Sequence, residues 1–334
     1  MEKTAFTKET SESLYAYKAL AIMLVVTAHC PSGTNLFADR ILNFWGTLGV
    51  PIFFIVSGFT FKAKEDRKIF WNKKLKSIII PWVFWGSITY FCHILSDGIA
   101  FHLVSAVQWI LGTGTWLYFI PVLIVCFAAF RVVKKPAGIA FVILLSYFSN
   151  AFVFFDIINC QAIITNYQNP LNWMIFFGIG MLLQNYDINK ITKIHAKNKL
   201  IIWIGALLTA AAYIGFLNPN YWTVCSIPIE LLWAFSIFSI IEFFSKFGII
   251  INIGKLTYPI YFIHMQFGIF AVNCLLLLLG KIELLEGLES SILVILCKPI
   301  AVVVVTYLMI CILRRIMKLV GLNRFLWVMG IKTE

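Results

Sequence analysis

Long apolar runs alternate with short polar stretches along the whole chain. A helix needs about 20 mainly apolar residues to cross the hydrocarbon core of a bilayer. Ten runs approach that length, at about 14–30, 44–61, 77–95, 116–130, 137–155, 171–183, 200–217, 226–244, 257–280 and 291–313. Residues 96–115 indicate a loop or a short interfacial helix. The pattern predicts an all-α fold, a polytopic membrane bundle of about ten transmembrane helices.

The apolar runs follow one another without a linker, which predicts a single transmembrane domain over residues 14–313. Residues 1–13 are short and polar and are predicted to form a lead-in. Residues 314–334 are rich in Lys and Arg and are predicted to form a basic tail. A cleaved signal peptide is an alternative for the first run, because Val26-Thr27-Ala28 resembles a small-residue cleavage site. We favour a retained span, since the rest of the chain is equally apolar.

The composition excludes an ordinary water-soluble domain. The 334 residues are 61% hydrophobic and only 13% charged, and the mean hydropathy is +0.90. Soluble domains carry about 25% charged residues. So much apolar surface requires lipid as its solvent.

The net charge of +12 suits either nucleic acid or the inner surface of a membrane. Most of the 27 Lys and Arg residues fall in alternate loops, whereas the other set of loops holds only Arg40 and Lys281. Because Lys and Arg concentrate in cytoplasmic loops, both termini are predicted to be cytoplasmic, with lipid contact and no nucleic-acid partner. The predicted outer loops carry the acids Asp39, Asp97, Asp156, Glu283, Glu286 and Glu289.

The eight cysteines are scattered, mostly inside apolar runs, and no two have the spacing of a metal or redox pair. They are predicted to be small buried hydrophobic residues. No metal site is predicted.

Five ionisable residues fall inside predicted spans, where a charge costs roughly 2.5–3.5 kcal/mol at mid-membrane and often marks a site. They are Lys18, His29, Glu230, His264 and Lys298. Simpler interpretations remain for four of them, and for His29 the simpler one is a histidine at the edge of a loop with no role. Lys18 can extend its ammonium to the inner interface, and Glu230 can neutralise Lys298 between helices.

Lys18 and His29 stand out because they occur in one apolar run, KALAIMLVVTAHC. They are 11 positions apart, which is close to three helical turns, so they would share one face with an axial separation of ~16 Å. Pro31 ends or bends the helix, which places His29 in the last turn. In the predicted orientation Lys18 lies towards the cytoplasm and His29 towards the outside.

Six segments occur in an order that resembles the membrane acyltransferase-3 family across nearly the whole chain. They are Lys18-x10-His29, GVPIFFIVSGF (Gly49–Phe59), KKLKSIIIPW (Lys73–Trp82), TWLYFIPVLI (Thr115–Ile124), FFGIGMLL (Phe176–Leu183) and LTYPIYFIHM (Leu256–Met265). Each segment alone is a weak signal, whereas six in order are specific.

The resemblance implies an integral-membrane enzyme that moves an acyl group, usually acetyl, from cytoplasmic acyl-CoA to a sugar hydroxyl. The acceptor would be an exported or lipid-linked glycan at a bacterial inner or plasma membrane. The family's first motif is Arg-x10-His with a catalytic histidine, which assigns that role to His29. Lys18 stands at the arginine position, and Lys73-x-x-Lys76 replaces an Arg-x-x-Arg motif. Lysine keeps the charge but lacks the planar, bidentate guanidinium.

Acyl transfer to an alcohol requires a base, donors for the oxyanion and a bound thioester. His29 is the predicted general base, because its unperturbed pKa of about 6.5 leaves it largely neutral at physiological pH. Glu230 would orient its imidazole if the first and eighth spans touch. Lys73 and Lys76 would hold the phosphates of coenzyme A, with plain positive-inside charge as the alternative. The predicted substrate-binding residues are Ser57, Trp116, Tyr118, Tyr258 and His264.

A transporter or flippase of a glycan or lipid precursor is the competing class, since ten spans and buried ions suit it too. No inverted repeat or pair of broken helices is visible in the sequence, which disfavours it. A membrane sensor or assembly module is a third alternative. The acyl group, the acceptor, the oligomeric state and a covalent acyl-enzyme step remain open.

Overall fold

The computed structural model describes residues 6–154, 165–184, 186, 196–215, 226–280 and 290–331. These residues form helices and connecting turns, with no strand among them, which confirms the all-α prediction. The predicted outer-loop residues Asp156, Lys281, Glu283, Glu286 and Glu289 lie outside the described residues.

The α-helices divide the chain into many elements, several of which continue one another across a short break. They are α1 Lys8–Thr27, α2 Leu36–Thr47, α3 Gly49–Phe59, α4 Arg67–Lys74, α5 Ile80–Asp97, α6 Leu103–Leu111, α7 Phe119–Val132, α8 Pro136–Phe154, α9 Pro170–Leu183, α10 Ala196–Gly215, α11 Ser226–Ser239, α12 Ile241–Phe244, α13 Gly248–Lys255, α14 Thr257–Ile263, α15 Phe270–Gly280 and α16 Ile292–Leu319. Two π-helical segments, Leu75–Ile79 and His264–Ile269, join α4 to α5 and α14 to α15. Trp116–Tyr118 and Asn323–Met329 are 3₁₀-helical.

Several of these stretches are long and apolar enough to cross a membrane. Within the described ranges there are five, Leu36–Phe59, Arg67–Asp97, Lys197–Gly215, Thr257–Gly280 and Ile292–Leu319. A sixth candidate is α6 together with Trp116–Val132, a pair bent by 63°. Three further apolar helices are shorter, Pro136–Phe152, Pro170–Leu183 and Ser226–Ser239. The chain is a helical membrane protein, and the count of about ten spans and the cytoplasmic termini stay predictions.

Several helix boundaries differ from the predicted ones, and two of the differences bear on the candidate site. α1 ends at Thr27, so His29 lies in the turn after the helix. The amides of His29 and Cys30 bond to Val26 O and Thr27 O, which tightens the chain before Pro31. The third predicted span begins ten residues early, at Arg67, because no Gly or Pro interrupts the chain before Pro81.

α3 and α9 are in backbone contact through two glycines. A Cβ on Gly58 would stand 2.0 Å from Phe177 O, and one on Gly180 would stand 2.1 Å from Ile55 O. Small residues allow helices in membranes to approach this closely. The contact fixes α3, which carries Ser57, against its neighbour.

α1 is the central helix of the described bundle. It packs against α2, α3, α13, α14 and α16. It also reaches α11, because the Tyr17 hydroxyl donates to Ala234 O at 2.7 Å. The first and eighth predicted spans therefore touch, as the suggested role of Glu230 requires.

Candidate active site

A cavity of about 410 Å³ opens beside α1 and is lined by α3, α4, α7 and α14. Its polar lining residues are Lys18, Ser57, Thr60, Lys62, Glu65, Lys73, Lys74, Ser77, Thr257, Tyr258 and Tyr261. The remainder of its wall is apolar and aromatic. Four lysines and one glutamate give the cavity an excess of positive charge, which suits an anionic ligand.

The lysines concentrate at one end, here called the mouth and defined by Lys62, Glu65, Lys73 and Lys74. Lys73 forms an ion pair with Glu65. The Lys74 ammonium lies 4.2 Å from the centre of the Phe127 ring, a distance at which cation–π attraction holds a charge beside an aromatic face. The mouth belongs to the stretch predicted to face the cytoplasm.

The two π-helical segments lie at the two ends of the candidate site. Ser77 and Ile78, in the segment Leu75–Ile79, line the cavity near its mouth. The segment His264–Ile269 starts at His264, three residues beyond the lining residue Tyr261. π-helical turns inside α-helices occur frequently at functional sites.

Beyond the deep end of the cavity, two histidine rings lie close together. The ring centres of His29 and His264 are 5.4 Å apart. His264 is fully buried, and its Nδ1 lies 2.8 Å from Tyr261 O and 3.2 Å from Ile260 O. Because both partners are carbonyl oxygens, Nδ1 donates and Nε2 carries the lone pair. No partner for Nε2 occurs among the described residues.

Trp116 lies beside His264. The Tyr261 hydroxyl donates to Trp116 O, and the Trp116 ring centre lies 6.5 Å from that of His264. The indole Nε1–H of Trp116 is buried and has no acceptor in the part of the chain that the structure describes. A buried donor without an acceptor is costly, and such a group is available to a ligand.

On each of two segments of the chain, a residue that lines the cavity is followed within about one helical turn by one of the two histidines. Val25 lines the cavity, and His29 follows it by four residues; Tyr261 lines the cavity, and His264 follows it by three. One helical turn rises about 5.4 Å. Neither histidine lines the cavity itself, so the pair lies about one turn beyond its deep end.

The turn after His29 is held by Asp39, the acid predicted only as an outer-loop charge. The Asp39 carboxylate accepts from the backbone amides of Ser32 at 2.7 Å and Gly33 at 2.8 Å. Gly33 has a φ of +72°, a conformation that glycine adopts without a steric penalty. Asp39 thus fixes the chain three residues beyond His29.

Four of the ten predicted site residues line the cavity, namely Lys18, Ser57, Lys73 and Tyr258. The Tyr258 hydroxyl donates to Ile78 O at 2.7 Å, which connects α14 to the first π-helical segment. Lys76 is exposed and does not line the cavity.

The other predicted residues lie outside the cavity. His29, His264 and Trp116 form the group beyond its deep end. The Tyr118 ring lies between those of Tyr167 and Trp173. Glu230 is buried in α11, within electrostatic range of Tyr118. No ion pair joins Glu230 to Lys298 within the described ranges, and the ring beside His29 is that of His264.

Sequence reasoning missed several residues of the site. Lys62, Lys74 and Glu65 were visible as charges next to the predicted third span, but nothing in the pattern separated them from positive-inside charge. Tyr261 lies one helical turn before His264, a spacing that places two polar residues on one face. No local signal marks Asp39.

Residues 12–328 match the acyltransferase-3 family, described as an acyltransferase domain. The match covers most of the 334 residues. The chain belongs to this family and is an acyltransferase, which decides against a transporter without acyl chemistry. Comparison with curated proteins and with solved structures gave no match.

Proposed function

We propose that the chain transfers an acyl group, acetyl in the simplest case, from cytoplasmic acyl-CoA to a hydroxyl of a cell-surface or lipid-linked glycan. One observation carries the proposal: a lysine-lined cavity leads along α1 and α14 towards the His29–His264 pair. The proposed setting is a bacterial inner or plasma membrane.

The mouth supplies the means to bind the donor. Coenzyme A carries several phosphate charges, and Lys73, Lys74, Lys62 and Lys18 line one cavity. Lysine binds phosphate as a point charge rather than in a bidentate geometry. Lys76 is exposed at the same end and would act from outside the cavity.

His29 supplies the base. It accepts the proton of the sugar hydroxyl while the hydroxyl oxygen attacks the thioester carbonyl carbon. The C–S bond then breaks, and the leaving thiolate of coenzyme A takes up the proton from His29. The proton is thus returned, and the products are the ester and the free thiol.

Donors are required for the charge that develops on the carbonyl oxygen. The Trp116 Nε1–H suits this role, because it is buried near His264 and none of the described residues accepts from it. The hydroxyls of Tyr258 and Tyr261 already donate to backbone carbonyls. They hold α14 in place and leave the donor role to other groups.

The test is transfer of label from acetyl-CoA by the purified protein in lipid vesicles that contain extracted lipid-linked glycan. We expect the wild type to release free coenzyme A and to form an alkali-labile labelled glycan. His29→Ala should abolish both products while retaining coenzyme A binding, because binding occurs at the mouth.

His102→Ala is the matched control, since His102 is exposed and its side chain makes no capping hydrogen bond. It should behave as wild type. Full transfer by His29→Ala would exclude His29 as the base, and a wild type that neither binds coenzyme A nor releases it would exclude the donor.

A further inference from the structure

We propose that Glu65 is a built-in competitor for the anionic donor: its carboxylate occupies Lys73 and must be displaced when a phosphate group enters the mouth. Glu65 would then determine how tightly acyl-CoA binds. The proposal rests on the proposed function, because it takes acyl-CoA as the entering ligand.

Glu65 is the single acidic side chain among the described residues that line the cavity, against four lysines. Its ion pair is with Lys73. The Glu65 side chain is 18% exposed and that of Lys73 is 63% exposed. Glu65 is therefore the more buried partner, and Lys73 is the partner that an anion arriving from solvent would meet first.

The backbone holds Glu65 in this position. Arg131 donates from Nη2 to Glu65 O at 2.7 Å, and its guanidinium lies 4.7 Å from the centre of the Phe70 ring. Asp66, the next residue, caps α4 by accepting from the Ile69 amide at 3.0 Å. The turn between α3 and α4 is thus fixed from both sides, so Glu65 has a defined place beside the cavity.

Exchange of the carboxylate for a phosphate is energetically reasonable. The phosphates of coenzyme A together carry more negative charge than one carboxylate, and a partly exposed Lys–Glu pair is weak. The mouth is open, so a displaced Glu65 side chain can turn into water. The competition should therefore lower donor affinity by about fivefold without preventing binding.

The experiment measures coenzyme A binding by titration calorimetry, and acetyl-CoA kinetics, on the full chain in lipid nanodiscs. Glu65→Gln removes the competing charge at nearly constant size. We expect coenzyme A to bind about fivefold more tightly and the KM for acetyl-CoA to fall by the same factor, with kcat unchanged. Glu12→Gln is the matched control, because Glu12 pairs with Lys8 outside the cavity and should leave both values unchanged.

A double-mutant cycle identifies the partner through which Glu65 acts. Glu65→Gln should have no effect on binding in a Lys73→Gln background. If Glu65→Gln is not recovered as folded protein, Glu65→Asp shortens the reach to Lys73 and should tighten binding by a smaller factor.

Unchanged or weaker coenzyme A binding by a folded Glu65 variant overturns the proposal while the proposed function stands. Tightening that persists without Lys73 overturns it as well. If no protein in the series binds coenzyme A, the proposed function and the role of Glu65 fall together.

Discussion

The mouth of the cavity and the histidine pair differ in how precisely their side chains must be positioned. At the mouth, several lysines lie partly in contact with solvent, and one of them is paired with an acid. At the other end His264 is fully buried, and its tautomer is set by two carbonyls. A set of point charges tolerates substitution, whereas proton transfer requires defined positions.

The departures from the family pattern follow this division. The resemblance described above implies arginine at positions 18, 73 and 76, where this chain has lysine, and histidine at position 29, where the chain has histidine too. The three lysines all lie towards the mouth. Changes at the mouth should therefore alter the KM for the donor by modest factors. Changes near His29 should lower kcat by larger factors with little effect on KM.

The largest effect among the following predictions is expected at Gly46. A Cβ there would stand 2.5 Å from Ala28 Cα and 2.8 Å from Ala28 N, so Gly46→Ala must push the chain that carries His29. A displacement of about 1 Å can cost about 100-fold in rate. We expect Gly46→Ala to lower kcat by about that factor in the acetyl-CoA assay, with coenzyme A affinity unchanged.

Gly205→Ala is the control for Gly46→Ala, because its new Cβ meets nothing within 4 Å. Wild-type kcat is expected for this variant. If Gly46→Ala raises the KM for acetyl-CoA and spares kcat, the separation of the two ends is wrong.

The all-helical fold class was predictable because apolar runs of membrane length are long and strongly biased in composition. The boundaries of the helices were less predictable. Arg67 to Lys76 has the charges of an inner loop, but the same residues start a helix because nothing between Arg67 and Pro81 breaks one. Contacts between helices, such as Gly58 against Phe177 O, leave no trace in a single sequence.

Candidate site residues were visible in the sequence where one residue type carries the chemistry, as at His29, Lys18 and Lys73. The position of His264 beside His29 was not, because 235 positions separate them along the chain and only tertiary packing brings them together. The same holds for Arg131, which reaches across to Glu65. Local patterns indicate which residues are unusual, and packing decides which of them meet.

A smaller effect is expected at Lys18, which lines the cavity and lies 4.8 Å from the centre of the Tyr15 ring. Lys18→Ala removes one positive charge and should raise the KM for acetyl-CoA about tenfold, since contacts to charged groups contribute about 1.5–3 kcal/mol. Lys18→Arg keeps the charge and should stay within about twofold of wild type.

Equal activity of Lys18→Ala and wild type would mean that Lys18 only anchors α1 at the membrane interface. A fall in kcat without a change in KM would instead place Lys18 with the histidine end. Steady-state kinetics over a range of acetyl-CoA concentrations separates these outcomes.

The smallest effect is expected at Asp39, which holds the turn after His29 through two backbone amides. Asp39→Asn leaves one acceptor oxygen and points an amide group at the second N–H. The loss of one hydrogen bond is worth about 1 kcal/mol, so kcat should fall about fivefold if the turn loosens. The KM for acetyl-CoA should not change, because Asp39 does not line the cavity.

Asp97→Asn is the control for Asp39→Asn. Asp97 is a second acid of the predicted outer side, but it is exposed and pairs with His93 at the end of α5. It should therefore leave kcat and KM as in the wild type. If both variants lower kcat alike, the effect comes from outer surface charge, and the turn held by Asp39 has no special influence on His29.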